Sequence, residues 1–189
     1  LRPEDSLALI FFSDGALTAH GFTTNREWSH KAIDDYRTAG GTALYDALAS
    51  GLTMLKGVAG RRAMVVMTDG RDENNAGTAP GSRGTLADVL NLASQVEATI
   101  LPIGLGTKIA RTDLVRLAEI SGGQAYFPAE VSELREQFAR TLENLRYRYV
   151  VAYTSTNLSR DGSWRDVEIR SRSADVIVRS RSGYFAPDR

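Results

Sequence analysis

The sequence predicts an α/β fold in which a mostly parallel, doubly wound sheet is flanked by helices. Three short apolar runs, at residues 7–12 (LALIFF), 63–67 (AMVVM) and 98–103 (ATILPI), are each followed by a turn that contains glycine. Such runs are typical of parallel strands that helices cover on both faces. Segments with helical spacing of their apolar residues separate the runs, and this alternation favours a parallel sheet.

The order of elements follows from these periodicities and from capping residues. We expect a strand at 7–12 that returns as an edge strand at 17–22, and then a helix over 26–36 with Asn25 as its N-cap. A helix over 43–56 leads to a strand at 63–68. The remaining predicted elements are a polar loop at 69–84, a helix at 85–95, a strand at 98–103, a helix at 112–120 capped by Thr112, a short strand at 125–127 and a helix at 135–146.

The last forty residues follow a different period. Apolar and polar residues alternate at 149–153, 164–172 and 176–181, with turn-forming sequences between them. This pattern predicts a C-terminal antiparallel β-meander with one face buried and one face in water. We therefore divide the chain into an α/β domain at 1–148 and a meander at 149–189 that packs on it.

Composition excludes several classes of function. The formal net charge is zero, which gives no reason to expect a nucleic-acid partner. No apolar run approaches the roughly 18 residues that a membrane span needs. The chain has no cysteine, which excludes thiolate metal sites and cysteine nucleophiles, and its two histidines are too few for a histidine-rich zinc site.

Two oxygen-bearing side chains lie where ligands of α/β sheets gather, at the carboxyl ends of strands. Asp69 follows the strand at 63–68 within the sequence Thr-Asp-Gly, where Gly70 is expected to allow a sharp turn. Thr42 follows two glycines and opens the helix at 43–56. Hydroxyl and carboxylate oxygens are the ligands that a hard divalent cation prefers. The alternatives are that Asp69 only caps its turn and that Thr42 only caps its helix.

Other acidic residues near these positions have ordinary structural explanations. We interpret Asp14 as a turn aspartate and Asp46 as a first-turn carboxylate that favours the positive end of a helix dipole. Asp72 and Glu73 extend an acidic loop, and we expect them to be solvated. None of the four is predicted to bind a metal.

The fragments LALIFFSDG, GGTALYDAL, VVMTDG, ILPIGLG and LAEISGG, in this order, resemble a von Willebrand factor type A domain. The tail, YRYVVAYTSTN to VRSRSGYFAP, is similar to a bacterial branch described as VWFA-related. This resemblance implies a metal-ion-dependent adhesion site that holds Mg²⁺ or Mn²⁺ and is completed by a carboxylate of a protein partner. Thr42 and Asp69 match two of its ligands. The family's Asp-x-Ser-x-Ser element has no match here, and we expect it to lie upstream, so that residues 1–189 alone bind Mg²⁺ weakly.

The resemblance thus implies a non-enzymatic binding or adhesion module, exported from a bacterium. One alternative is a structural domain of an envelope protein in which the metal site has decayed. Another is a hydrolase or nucleotide-binding enzyme on the same sheet, although neither a phosphate-binding loop nor a Gly-x-Ser-x-Gly motif is present. The ten arginines of residues 140–189 are expected to line a solvated strand face, the alternative being an anion-docking surface.

Overall fold

A computed structural model describes residues 1–37, 40–146, 149 and 151–188. The strands are β1 (Leu7–Phe12), β2 (Ala16–Thr23), β3 (Arg62–Thr68), β4 (Ala98–Gly104), β5 (Trp164–Asp166) and β6 (Gly183–Phe185). The helices are α1 (Arg26–Asp35), α2 (Leu44–Leu55), α3 (Leu86–Gln95), α4 (Arg111–Ser121) and α5 (Leu134–Arg146). The α/β class predicted from the sequence is therefore confirmed.

The best-packed part of the molecule is the parallel pair of β3 and β4. Their register runs from Arg62 opposite Ala98 to Thr68 opposite Gly104, and every residue of β4 is buried. Helices α2, α3 and α4 cover this pair with an aliphatic core. Its fully buried side chains include Leu44, Leu48, Leu52, Val89, Ile100, Leu114 and Leu117.

The predicted strand at 125–127 is reduced to a single parallel bridge between Ile103 of β4 and Tyr126. The Tyr126 amide donates to the Pro102 carbonyl at 2.8 Å, and the Tyr126 carbonyl accepts from the Gly104 amide at 2.9 Å. Continuing this ladder toward the start of β4 would require a donor at residue 102. Proline has no backbone N–H, so the pairing stops after one residue.

The doubly wound sheet is seen only in part, because the strands form separate two-stranded ladders within the described residues. β1 pairs with β2 as an antiparallel hairpin and has no ladder to β3. Both β1 and β3 nevertheless end beside the start of α2, so the two strands run parallel. Ile10 of β1 and Met64 of β3 also approach the same glycine of α2, Gly51. One helix face thus covers two strands that do not pair with each other.

The helix ends show which capping predictions hold. Asn25 caps α1 by accepting a hydrogen bond from the Glu27 amide, as predicted. The prediction that Thr112 caps α4 is wrong, because the Ala110 carbonyl already accepts from the amides of Asp113 and Leu114. The helix therefore begins before Thr112, which lies inside its first turn.

Of the predicted C-terminal meander, the structure shows one short antiparallel pair of strands. β5 and β6 pair antiparallel over three residues each, and the rings of Trp164 and Phe185 meet edge to face at 5.1 Å. The described residues of the other two predicted strands are irregular, and Tyr149 is 96% exposed. Alternating residues form a strand when the strand has a surface to pack against. These two segments have little such surface.

The tail does touch the α/β part. β6 contacts α3, and the Arg181 guanidinium donates to the Ser94 carbonyl at the end of α3 at 2.5 Å. The predicted domain boundary at 148 falls outside the described residues. None of the described helices is long and apolar enough to cross a bilayer.

Candidate functional site

Thr42 and Asp69 lie at the same rim of the molecule, where β1 and β3 end beside the start of α2. Thr42 exchanges two backbone hydrogen bonds with Glu73, at 2.7 and 3.2 Å, so it is paired with the loop that follows β3. Its hydroxyl oxygen lies 3.3 Å from the point where a Cβ atom of Gly70 would stand. The structure therefore brings the Thr42 hydroxyl against the Thr68-Asp69-Gly70 turn.

Gly70 has a different role from the one predicted for it. Its φ is not positive, so the turn does not depend on a backbone conformation that only glycine adopts readily. The Thr42 hydroxyl instead occupies the space beside its Cα. The glycine allows the two segments of the rim to approach closely.

The carboxylate of Asp69 is exposed and makes no hydrogen bond or ion pair with the described residues. The turn is held by its neighbour, since the buried Thr68 hydroxyl contacts both the amide and the carbonyl of Gly70 at 3.3 Å. The alternative that Asp69 only caps its turn is therefore wrong. Its oxygens remain available to a ligand.

The alternative role of Thr42 as a helix cap is also wrong. The N-cap position of α2 belongs to Ala43, and no side chain caps the helix from within its own segment. The free amides of the first turn are satisfied from the loop after β3, Tyr45 by the Asp72 carboxylate and Asp46 by the Ser82 hydroxyl. The Thr42 hydroxyl makes no hydrogen bond with any described residue.

Asp72 is the residue that the sequence interpretation missed. It was predicted to be solvated, but its carboxylate accepts hydrogen bonds from the amides of Tyr45, Gly81 and Ser82 and from the Ser82 hydroxyl. Glu73, also predicted to be solvated, is half-buried and pairs with Thr42 through its backbone. No local pattern in the sequence reveals these contacts, because the loop closes on itself nine and ten residues after Asp72.

Asp14 and Asp46 support the rim from the other side. Asp14 accepts a hydrogen bond from the Gly41 amide at 2.5 Å, and the adjacent Ser13 carbonyl accepts from the Ala43 amide at 2.6 Å. The end of β1 therefore holds the backbone on both sides of Thr42. Asp46 accepts from the amides of residues 83 and 84, a structural role as predicted, although the partner is the loop.

A depression of about 380 Å³ adjoins this side of the rim. It is lined by Asp14, Ala16, Asp46, Ser50 and Arg83, together with the glycines at 15 and 81. Both of its carboxylates already accept backbone hydrogen bonds. These two side chains therefore serve the local backbone.

Tyr45 links the rim to α4. Its hydroxyl donates to the Asp113 carboxylate at 2.8 Å. Burial, together with this hydrogen bond, raises the pKa of Tyr45 well above its usual range. The phenol therefore stays protonated even at alkaline pH and remains a donor that ties α2 to α4.

Thr42 and Asp69 offer the type of ligand atom that a divalent cation prefers, but two side chains are too few to hold it. A hydroxyl and a carboxylate without other partners are suitable ligands for a hard cation, which takes six or more oxygens. Across the described ranges, no group of three or more acidic, histidine or cysteine side chains is arranged to hold a metal. A cation here would need further ligands from water, a partner or another segment.

A family model for the von Willebrand factor type A domain matches residues 2–140. The chain belongs to the von Willebrand factor type A family. The match covers both segments of the rim, and domains of this family commonly mediate protein interactions and often carry a divalent-metal site. A comparison with curated protein sequences gives no match.

Solved structures of low sequence identity share the fold. A von Willebrand factor type A protein from Catenulispora acidiphila is 19% identical with a TM-score of 0.61, and the match covers 71% of this chain and 32% of that one. A conserved hypothetical protein, BatB, from Bacteroides thetaiotaomicron is 13% identical with a TM-score of 0.59, covering 78% and 82%.

A third similar structure is proximal thread matrix protein 1 from the mussel byssus, in a form whose MIDAS motif (its metal-ion-dependent adhesion site) is occupied by zinc. It is 21% identical with a TM-score of 0.55, and the match covers 71% of this chain and 34% of that chain. This chain therefore spans about a third of the length of the mussel and Catenulispora proteins. At these identities the likeness concerns the fold.

Proposed function

We propose that the rim of this domain binds a protein partner through an acidic side chain of that partner, with Mg²⁺ or Mn²⁺ between the two. The observation that carries the proposal is the meeting of the Thr42 hydroxyl and the Asp69 turn at one rim. Neither side chain has another role in the described structure, because Thr68 holds the turn and Asp72 caps the helix. Family membership supports the same kind of function.

Thr42 and Asp69 would hold the cation, directly or through water. A cation in this position supplies positive charge and an open coordination position. Both would attract a carboxylate of the partner. The chain's own contribution is to hold the Thr42 hydroxyl against the turn that carries Asp69. The Thr42 backbone is held by Glu73 on one side and by the end of β1 on the other.

We propose that the remaining ligands come from a segment outside residues 1–189 that lies between β1 and β3. The two strands run parallel, share the cover of α2 and have no ladder between them. All six residues of β1 are only half-buried, and Met67 at the end of β3 is 46% exposed. A strand inserted there would end at the rim, beside Thr42 and Asp69. Its side chains at that end would complete the coordination.

Calorimetric titration with Mg²⁺ tests the metal site. We expect weak binding by residues 1–189 and clearly tighter binding by the chain together with its natural preceding segment. In the longer chain, Asp69→Ala and Thr42→Val should abolish or strongly weaken binding, because each removes a ligand oxygen. Asp175→Ala, an exposed aspartate in the tail, is the matched control and should bind as the unchanged chain does. Equal affinity of Asp69→Ala and the control would contradict the proposal.

The partner is tested with the same variants. Immobilised longer chain should retain an acidic peptide in Mg²⁺ and release it when a chelator is added. Asp69→Ala should lose this retention while keeping its circular-dichroism spectrum and thermal midpoint. Retention that survives both the chelator and the substitution would contradict a metal-assisted mechanism. A decayed site in a structural domain would show neither metal binding nor metal-dependent retention.

We further propose that the domain is not an enzyme. The arrangement most suggestive of a base and a nucleophile is His20 with Ser29, at 2.9 Å, and it lies at α1 and β2. Ser29 is only 4% exposed, so a substrate cannot approach its hydroxyl. Hydrolysis of generic esters that is lost on Ser29→Ala would overturn this proposal.

Export from a bacterial cell is proposed on the resemblance of the tail to the VWFA-related branch. Immunodetection in fractions of the source cell tests the location, and we expect the protein in the envelope or the medium. Detection in the cytosol alone would contradict export.

A further inference from the structure

Asp72 lies in the loop after β3, and both oxygens of its carboxylate are engaged. One oxygen accepts from the Tyr45 amide at 3.2 Å and from the Ser82 hydroxyl. The other accepts from the amides of Gly81 and Ser82, at 3.1 and 3.0 Å. Hydrogen bonds to a charged acceptor are stronger than neutral ones. Asp72 therefore joins the first turn of α2 to the returning end of the loop.

The returning end of the loop lies directly against Thr42. A Cβ atom on Gly81 would stand only 2.4 Å from the Thr42 carbonyl oxygen and 2.7 Å from the Glu73 carbonyl oxygen. Glu73 in turn exchanges two backbone hydrogen bonds with Thr42. The backbone of Thr42 is thus enclosed between residues 73 and 81. Asp72 precedes the first of these in the chain and binds the amide of the second.

We infer that Asp72 is the positioning residue of the rim, which holds the Thr42 hydroxyl against the Asp69 turn, where the two side chains would share a cation. This inference rests on the proposed metal site. Asp72 itself does not contact the cation, since four donors already occupy its two oxygens.

Asp72→Asn is the direct test, because asparagine has nearly the same size but cannot replace the carboxylate. Its amide group would point N–H donors at the donors of Tyr45, Gly81 or Ser82, and at least one of these half-buried hydrogen bonds would be lost. In the chain with its natural preceding segment, we expect the affinity for Mn²⁺ to fall about 10- to 100-fold, the scale typical of groups that orient metal ligands. Electron paramagnetic resonance of free Mn²⁺ measures this affinity.

Two further variants separate positioning from charge. Glu73→Gln removes the same charge one residue away, from a side chain that makes no hydrogen bond with the described residues, and its Mn²⁺ affinity should stay within about threefold, a small free-energy change. Gly81→Ala changes no charge but forces its Cβ against the Thr42 carbonyl, so its affinity should fall as in Asp72→Asn. Amide hydrogen exchange at Gly81 and Ser82 should accelerate in Asp72→Asn, which reports the loosened loop without metal.

The outcomes distinguish this inference from the function on which it rests. If Asp69→Ala leaves Mn²⁺ binding intact, the metal site itself is wrong. If Asp69→Ala abolishes binding but Asp72→Asn retains it despite faster exchange at Gly81, only the positioning role is wrong. If Glu73→Gln weakens binding as much as Asp72→Asn while Gly81→Ala does not, the effect is electrostatic and the inference is overturned.

Discussion

β4 and β1 both come from continuous apolar runs of the sequence, but the fold buries them to different depths. All seven residues of β4 are buried, whereas all six residues of β1 are only half-buried. β4 lies beside β3, is bridged by Tyr126 and is packed against α4, while β1 has its hairpin partner β2 and one face of α2. An apolar run therefore shows that a segment is suited to a core. The number of strands and helices that pack around the segment decides whether its side chains are fully buried.

The largest expected effect compares an isoleucine from each strand. Ile100→Ala in β4 should lower the free energy of unfolding by about 2–5 kcal/mol, because Ile100 is fully buried and its removal leaves a cavity. Ile10→Ala in β1 should cost clearly less, since its surroundings are partly open to water. Urea unfolding of residues 1–189 measures both. Equal costs would mean that β1 is as well packed as β4.

The second prediction concerns the space between β1 and β3. In the chain extended by its natural preceding segment, the cost of Ile10→Ala should rise toward that of Ile100→Ala, because an inserted strand would bury Ile10. Amide exchange in β1 should slow as well, since its second edge would be paired. If neither quantity changes between the two chain lengths, nothing inserts beside β1.

The third prediction concerns α3 and α4, two of the helices that pack on β3 and β4. Thr85 caps α3 in a reciprocal capping box with Asp88, whereas Thr112 lies inside the first turn of α4. Thr85→Ala should therefore cost about 1 kcal/mol, and Thr112→Ala less than about half of that, as is usual for surface positions. Thermal unfolding of the two variants measures the difference. A larger loss of stability for Thr112→Ala than for Thr85→Ala would indicate that Thr112 does cap α4.

The smallest expected effect concerns the tail. Backbone and side-chain hydrogen bonds from Ser163, followed by the bond from Arg165, lower the pKa of Asp161 to about 2. A lowered pKa in the folded state means that the ionised form stabilises the turn before β5. This contribution is present above about pH 4, the ordinary value for aspartate, and is lost as the pH falls toward 2.

Fluorescence of Trp164, in a Trp28→Phe background, should report this local loss at acidic pH. Asp161→Asn provides the control, because it cannot titrate and should show no such step. A step of the same size in the control would assign the change to other acidic groups.

The sequence predicted β3, β4 and the helices that cover them well, because continuous apolar runs and helical spacing are local signals. It also placed Thr42 and Asp69 at strand ends, and the structure brings their segments together. The incomplete pairing of β1 and the irregular tail were not predictable, since periodicity reports what a strand can bury and not whether a neighbour is present. Asp72 was missed for a related reason. Its partners Gly81 and Ser82 are brought to it by the closing of a loop, which leaves no repeat in the sequence.

Pro102 limits how far the sheet can widen. Because the backbone nitrogen of this residue cannot donate, a strand arriving on the outer side of β4 finds a break in the row of hydrogen-bond donors after Tyr126. Uninterrupted strand edges are templates for aggregation between molecules. The proline thus makes this side of β4 a poor template for a further strand, and lateral growth of the β3–β4 pair is left to the side of β3.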